Sequence, residues 1–140
     1  MTVAVLERKP TTSPDVSPET REFWAAAADG RLLVKNCPDC GRNHYYPRTV
    51  CPHCFGDRTR WLESTGRGTI YSFTVMRRAG PPYALAYVTL DEGVTMMTNI
   101  VGCEPDAIAV GMRVVTRFVA TPDGPPVPMF VLEASAKAMP

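Results

Sequence analysis

A chain of 140 residues, 45% of them apolar, has room for one ordinary core or two small ones. Its net charge of +1 lacks the basic excess by which dedicated nucleic-acid binders neutralise phosphates, and no apolar run reaches the roughly 18 residues that would span a bilayer. Prolines number 14, about twice the usual share, so short elements and stiff loops should outweigh long helices.

The first residues, Met1 to Pro10, show no charged stretch leading into an apolar one, so no signal peptide is read there. The expected compartment is the cytoplasm, where thiols stay reduced and five cysteines point to metal or free thiols. Residues 1–16 are polar and aperiodic and are expected to form a flexible arm. A helix should follow: Ser17 suits the N-cap, Pro18 the first helical position, and Glu19 and Glu22 the positive end of the helix dipole. Asp29-Gly30 supplies its stop, with Gly30 able to turn left-handed. Phe23, Trp24, Ala27 and Ala28 are expected on one face, which would cover the protein's own ribbon and barrel or else a partner; the first is preferred, because apolar stripes are usually core. Arg31 to Asn36 reads as a strand, residues 37–54 as a metal-binding section, and Trp61 to Glu63 as a closing strand. Ser64 to Gly68 is a turn-rich joint, which divides the chain into an arm (1–16), a helix with ribbon (17–63) and a barrel (64–140).

Strands dominate the rest. Thr69 to Met76 alternates, with Ile70, Ser72, Thr74 and Met76 expected on one side and Tyr71, Phe73 and Val75 on the other. Tyr83 to Leu90 and Val94 to Val101 follow, joined by a hairpin loop at Asp91-Glu92-Gly93. Glu104 to Ile108 reads as one helical turn. Arg113 to Ala120 and Met129 to Ala134 complete the set, with a stiff Pro-rich loop between them. Three strands, a helical turn and two strands is the order of the five-stranded barrel called the OB-fold. The fold class is therefore mainly β: an N-terminal helix, a zinc ribbon and an OB barrel.

Cys37-Pro38-Asp39-Cys40 and Cys51-Pro52-His53-Cys54 are two C-x-x-C pairs separated by ten residues, a spacing suited to a tetrahedral site of four thiolates. Two residues between thiolates let a tight turn aim both sulfurs at one ion. Gly41 and Gly56 are expected to let the backbone curl round it. Four thiolates leave no coordination position open, so the site is structural rather than hydrolytic. Zinc is preferred to rubredoxin-like iron because the compartment is reducing and no redox partner motif is present. His44 is read as a packing or surface residue, His53 as a bystander in the second turn, and Cys103 as a partly buried structural thiol. These do not compose a catalytic set, and no catalytic residue is assigned.

Together these residues resemble a known family. Phe23-Trp24, Asp29-Gly30-Arg31-Leu32, the two cysteine pairs with Tyr46-Pro47-Arg48 between them, Gly66-x-Gly68-Thr69-Ile70-Tyr71-Ser72, Ala86 to Gly93 and Val110-Gly111-Met112-Arg113-Val114 are similar to the small rubredoxin-like zinc-ribbon/OB-fold proteins that are partner subunits of thiolase-superfamily enzymes. The resemblance runs from about residue 17 to 134 and implies an accessory subunit beside a thiolase, a thiolase-fold acyltransferase or a thiolase-like retro-aldolase. In such complexes the partner holds the catalytic Cys and His, and the small subunit supports assembly and acyl-CoA binding. Arginine pairs bidentately with phosphates such as those of CoA. Arg77 and Arg78, beside the Pro81-Pro82 loop, are the candidates for contact with CoA or the partner, with Arg58, Arg60 and Arg67 expected near the ribbon–barrel joint. The alternatives are a nucleic-acid-binding module, with Tyr71 and Phe73 as stacking residues, an enzyme in its own right, for which only Cys103, His44 and His53 are on offer, and an assembly factor that never touches CoA. The near-neutral charge argues against the first.

Overall fold

Thr20 rather than Ser17 opens helix α1 (Arg21–Ala28) in the computed structural model, which describes residues 5–78 and 80–134. Residues 18–20 form a turn in which the Thr20 N–H donates to the Ser17 carbonyl at 3.1 Å and the Ser17 N–H to the Thr20 hydroxyl at 3.1 Å. The Thr20 hydroxyl is thus engaged backward, and the helix begins without a side-chain cap. At the other end Gly30 takes the expected left-handed conformation, φ 79°. The buried face is Phe23, Trp24, Ala26 and Ala27. Ala28 is exposed and Ala26 takes its place, three residues after Phe23 on the same side of the turn.

That face packs on the protein itself. The rings of Phe23 and Trp24 meet edge-on at 4.7 Å, Phe23 meets Tyr45 and Tyr46 at 5.7 and 5.3 Å, and the Trp24 indole N–H donates to the Tyr46 hydroxyl at 2.7 Å. Strand β1 (Leu33–Asn36) is the centre of the ribbon, flanked antiparallel by β2 (Asn43–His44) and β3 (Arg60–Glu63). Leu33 and Val34 carry the core into the ribbon, while Lys35 lays its ammonium 4.1 Å from the Trp61 ring centre.

Strands β4 (Arg67–Met76), β5 (Tyr83–Leu90), β6 (Thr95–Ile100), β7 (Arg113–Val119) and β8 (Val127–Leu132) close into a barrel in the order β4-β5-β6-β8-β7, with β7 pairing back onto β4. The one parallel step joins Ile100 to Phe130, and a 3-10 turn (Pro105–Ala107) lies between β6 and β7. Mainly β architecture with a short N-terminal helix, a ribbon and a closed five-stranded barrel is, among the described residues, as the sequence leads one to expect. The face assignment of β4 is corrected. A bulge between Ile70 and Ser72 inserts Tyr71 out of register, so the inward side switches from Ile70 to Phe73 and Val75, which pack on the core together.

Residues 1–16 are expected to form a flexible arm, and in their described part, from Val5 onward, the arm is fastened at a few points. Leu6 is fully buried in the main core, its N–H donates to the Cys103 carbonyl at 2.7 Å, and its carbonyl accepts from Gly102 at 2.8 Å. Further along, the guanidinium of Arg8 sits over the Tyr83 ring and the Ser13 hydroxyl accepts from the Asp123 N–H. Leu6 closes a four-residue apolar run, Val3 to Leu6, too short to show a period, which is why the sequence leaves this anchor invisible.

Candidate functional site: a four-sulfur centre

Both cysteine turns fold on one plan. In the first, the Gly41 N–H donates to the Cys37 carbonyl at 2.7 Å and the Cys37 N–H to the Arg42 carbonyl at 2.9 Å. In the second, Phe55 donates to Cys51 at 2.9 Å and Cys51 to the Gly56 carbonyl at 2.8 Å. The fifth position of each turn is left-handed: Gly41 has φ 77° and Phe55 φ 64°. The expected roles of the glycines are therefore half corrected. Gly41 supplies the curl, whereas in the second turn Phe55 supplies it, and Gly56 supplies space. A Cβ at Gly56 would lie 2.9 Å from an Asp39 carboxylate oxygen and 3.4 Å from the Cys54 sulfur.

The turns bring Cys37, Cys40, Cys51 and Cys54 together, with all four sulfurs within 4.8 Å of one another. Cys37 and Cys54 approach to 3.5 Å and Cys40 and Cys51 to 3.7 Å. A tetrahedron with metal–sulfur bonds of about 2.3 Å has edges of roughly 3.8 Å, so the cluster has the size of a tetrahedral metal site. Its electrostatics point the same way. Burial opposes the Cys51 thiolate, but the N–H groups of Cys54 and His53 and the neighbouring thiols outweigh it and lower Cys51 to about 7. At Cys54 the Gly56 N–H favours the thiolate, yet the hydrogen bond to Cys37, burial and the other sulfurs push it up to about 12. Four sulfurs this close oppose one another's charge, so four thiolates here need a cation. A bound metal would supply closed, structural coordination.

Around the sulfurs, Arg58 forms an ion pair with Asp39 and holds its carboxyl below the ordinary value. His53 stands outside the sulfur set, its Nδ1 3.5 Å from an exposed Arg42 nitrogen. His44 is buried, with Nε2 accepting from the Arg48 N–H at 3.3 Å and Nδ1 unpartnered; burial lowers its pKa. Cys103 is buried as well, and burial pushes its thiol up.

Other anticipated residues lie apart. Arg77 and Arg78 are exposed at the end of β4, with Arg77 3.9 Å from Asp106. The arginines anticipated near the joint each have a separate partner: Arg58 has Asp39, Arg60 has Asn36 at 2.9 Å, and Arg67 has Glu133 at 3.0 Å. Tyr71 is 69% exposed whereas Phe73 packs on the core, so the two do not form one stacking platform.

A residue that sequence reasoning passed over controls the joint. Glu92, in the β5–β6 loop, accepts from the Ser64 hydroxyl at 2.6 Å and the Thr65 N–H at 3.0 Å, and its carbonyl accepts from Asn43 of β2 at 2.9 Å. A loop glutamate beside a glycine carries no signal for this role, because its partners lie in two other segments.

Comparison with known proteins gives a consistent picture. Residues 24–60 match a family described as the ChsH2 rubredoxin-like zinc ribbon domain, and residues 61–119 match the ChsH2 C-terminal OB-fold domain. Among curated proteins, a probable enoyl-CoA hydratase alpha subunit of Thermomonospora curvata is 31% identical over 132 residues, covering 89% of this chain. The match spans only 41% of that protein's length. The benzoylsuccinyl-CoA thiolase subunit BbsA of Thauera aromatica is 29% identical, covering 68% of this chain and 71% of the relative. Among solved structures, a chain of the Ltp2-ChsH2(DUF35) aldolase superposes with a TM-score of 0.75 at 30% identity, covering 86% of this chain and 98% of that one.

Proposed function

This chain belongs to the ChsH2 family of joined zinc-ribbon and OB-fold domains, and from that premise we propose that it is a non-catalytic accessory subunit of a cytoplasmic acyl-CoA complex built round a thiolase-fold enzyme. The observation that carries the proposal is the near-complete overlap with a chain of an aldolase assembly, 98% of that chain at 30% identity. The names of the hydratase alpha subunit and the thiolase subunit agree: each is one component of an enzyme acting on a CoA thioester. In this reading Cys37, Cys40, Cys51 and Cys54 hold a structural zinc ion. The metal fixes the ribbon, the ribbon carries α1, and the Glu92 joint holds both against the barrel. Arg77 and Arg78 contact the CoA phosphates or the partner.

The full chain, tagged and recovered from its native host, should co-purify with an acyl-CoA enzyme subunit. The pair should turn over an acyl-CoA that this chain alone leaves untouched. Turnover by the purified chain alone would overturn the accessory role, as would recovery free of any acyl-CoA enzyme. In the recovered pair, replacing Arg77 and Arg78 by Ala should raise KM for acyl-CoA; an unchanged KM removes the CoA contact while leaving the subunit role in place.

A further inference from the structure

The outer surface of an antiparallel barrel normally meets water through charged and polar side chains. Three strands of this barrel depart from that rule. Gly68 to Met76, Tyr83 to Leu90 and Thr95 to Ile100 contain no Asp, Glu, Lys or Arg. Their outward positions instead form an uncharged face in which large apolar side chains lie among threonines. Register sets Tyr87 beside Met97 on β6 and opposite Ser72, next to the bulged Tyr71, on β4. Leu85 pairs with Thr74, and Tyr83 with Met76. Tyr71 is 69% exposed, Met97 58%, Tyr87 47% and Met76 42%. The bulge that breaks the alternation of β4 is also what accommodates Tyr71 on this surface.

The opposite side of the barrel is treated differently. There Val101, Met129 and Val131 form a small buried cluster with Val115, Val119 and Val127. The N-terminal arm is tied down along its edges, through Leu6 at Gly102 and Cys103, Glu7 3.8 Å from Arg117, and Ser13 at Asp123. One outer face is thus closed by the chain itself, and the other is left bare around Tyr87, the arm reaching it only at Tyr83, where the Arg8 guanidinium lies over the ring.

We propose that the bare face of β4, β5 and β6, centred on Tyr87, is the surface that docks the acyl-CoA enzyme subunit, an inference that rests on the accessory role above. An apolar centre depleted of charge, with arginine at its edge, is the anatomy of a protein interface. Arg77 and Arg78 stand at the end of β4, so the partner presents an uncharged apolar patch with carboxylates at that end. A second copy of this chain does not meet the requirement. A two-fold axis along the strands would set Arg77 and Arg78 against their own copies. An axis across the strands would set them against Asp91, already held by Arg113 through two bonds of 2.8 and 3.1 Å.

The test uses the full chain co-expressed with the subunit identified by co-purification. Tyr87→Arg should weaken assembly roughly a hundredfold, while metal content and melting temperature stay at wild-type values. Charge reversal by Arg77→Glu with Arg78→Glu should weaken assembly less and change its salt dependence. Should Tyr87→Arg itself perturb folding, a p-benzoyl-phenylalanine placed at position 87 should photo-crosslink to the partner, and one at position 117 on β7 should not. Wild-type assembly by a folded Tyr87→Arg variant, or crosslinking from 117 but not 87, overturns this surface and leaves the accessory role standing. A homodimer of the isolated chain that Tyr87→Arg dissociates also overturns it, by assigning the face to a second copy. A wild-type chain that binds no acyl-CoA enzyme at all sinks both proposals.

Discussion

The ribbon and the barrel are stabilised by different means. The barrel closes on itself, so each of its strands has a hydrogen-bonded neighbour on both sides, and it buries Ile70, Val88, Ile100, Val114 and Phe130 almost completely. The ribbon has three short strands, the middle one four residues long, and its own contribution to the core is small: Leu32, Leu33 and Val34, with Tyr45 and Trp61 packed against them. Its remaining order comes from sulfurs and from α1. The difference teaches where a metal is needed: a segment too small to offset its chain entropy by burial has to be clipped by a few strong bonds.

Removing the clip is the largest way to test that contrast. Chelation, or Cys37→Ser, should unfold residues 37–54 by forfeiting metal-binding free energy on the order of 10 kcal/mol, while amide protection in the barrel persists. Loss of both regions together would show one cooperative unit and end the comparison. The converse experiment is Phe130→Ala. It should cost the barrel about 3–5 kcal/mol in denaturant titrations, with the metal site of the folded protein unaltered in its cobalt absorption spectrum. Glu92→Ala addresses the joint between the two regions and should cost about 2 kcal/mol, with faster amide exchange at Thr65. Unchanged exchange there would mean that the joint is held by packing alone.

Two smaller effects sharpen the ribbon side. Phe55→Gly relieves a left-handed aromatic residue and should stabilise the loaded ribbon by up to about 1 kcal/mol in thermal melts; destabilisation would show that the ring packs on something. Burial lowers the pKa of His44 from its ordinary 6.5. The unfolded chain therefore binds the proton first, and the contribution of neutral His44 is complete above about pH 6.5 and lost as pH falls below it. Denaturation of the wild type between about pH 7.5 and 5.5 should show this loss, and His44→Gln should show less of it, which separates the histidine from protonation of the sulfurs.

Most of this architecture was legible where the signal is local. The cysteine spacing needs only two tight turns, and the strand Tyr83–Leu90 is an apolar run bounded by Pro81-Pro82 and Asp91-Glu92-Gly93, so its limits in the sequence and in the structure coincide. Legibility fails where the cause is distant. β4 begins two residues earlier than its alternation indicates, because Arg67 and Gly68 pair with β7 across the barrel closure. The bulge at Tyr71 preserves the apolar composition of the strand while reversing which residues face inward. Ser17, read as the N-cap, is instead held with Thr20 in a preceding turn by hydrogen bonds between the two, which delays the helix. The roles of Leu6 and Glu92 depend on partners far along the chain, so neither could be read from its neighbours.

The anchoring of Leu6 also bears on the order in which the chain is made. A ribosome releases Leu6 long before Gly102 and Cys103, the residues that receive it, have been synthesised. The two cysteine turns, by contrast, are complete soon after Cys54 emerges. The nascent ribbon can capture its metal early, but the segment carrying Leu6 must wait, apolar side chain exposed, until the barrel that seats it has been threaded out.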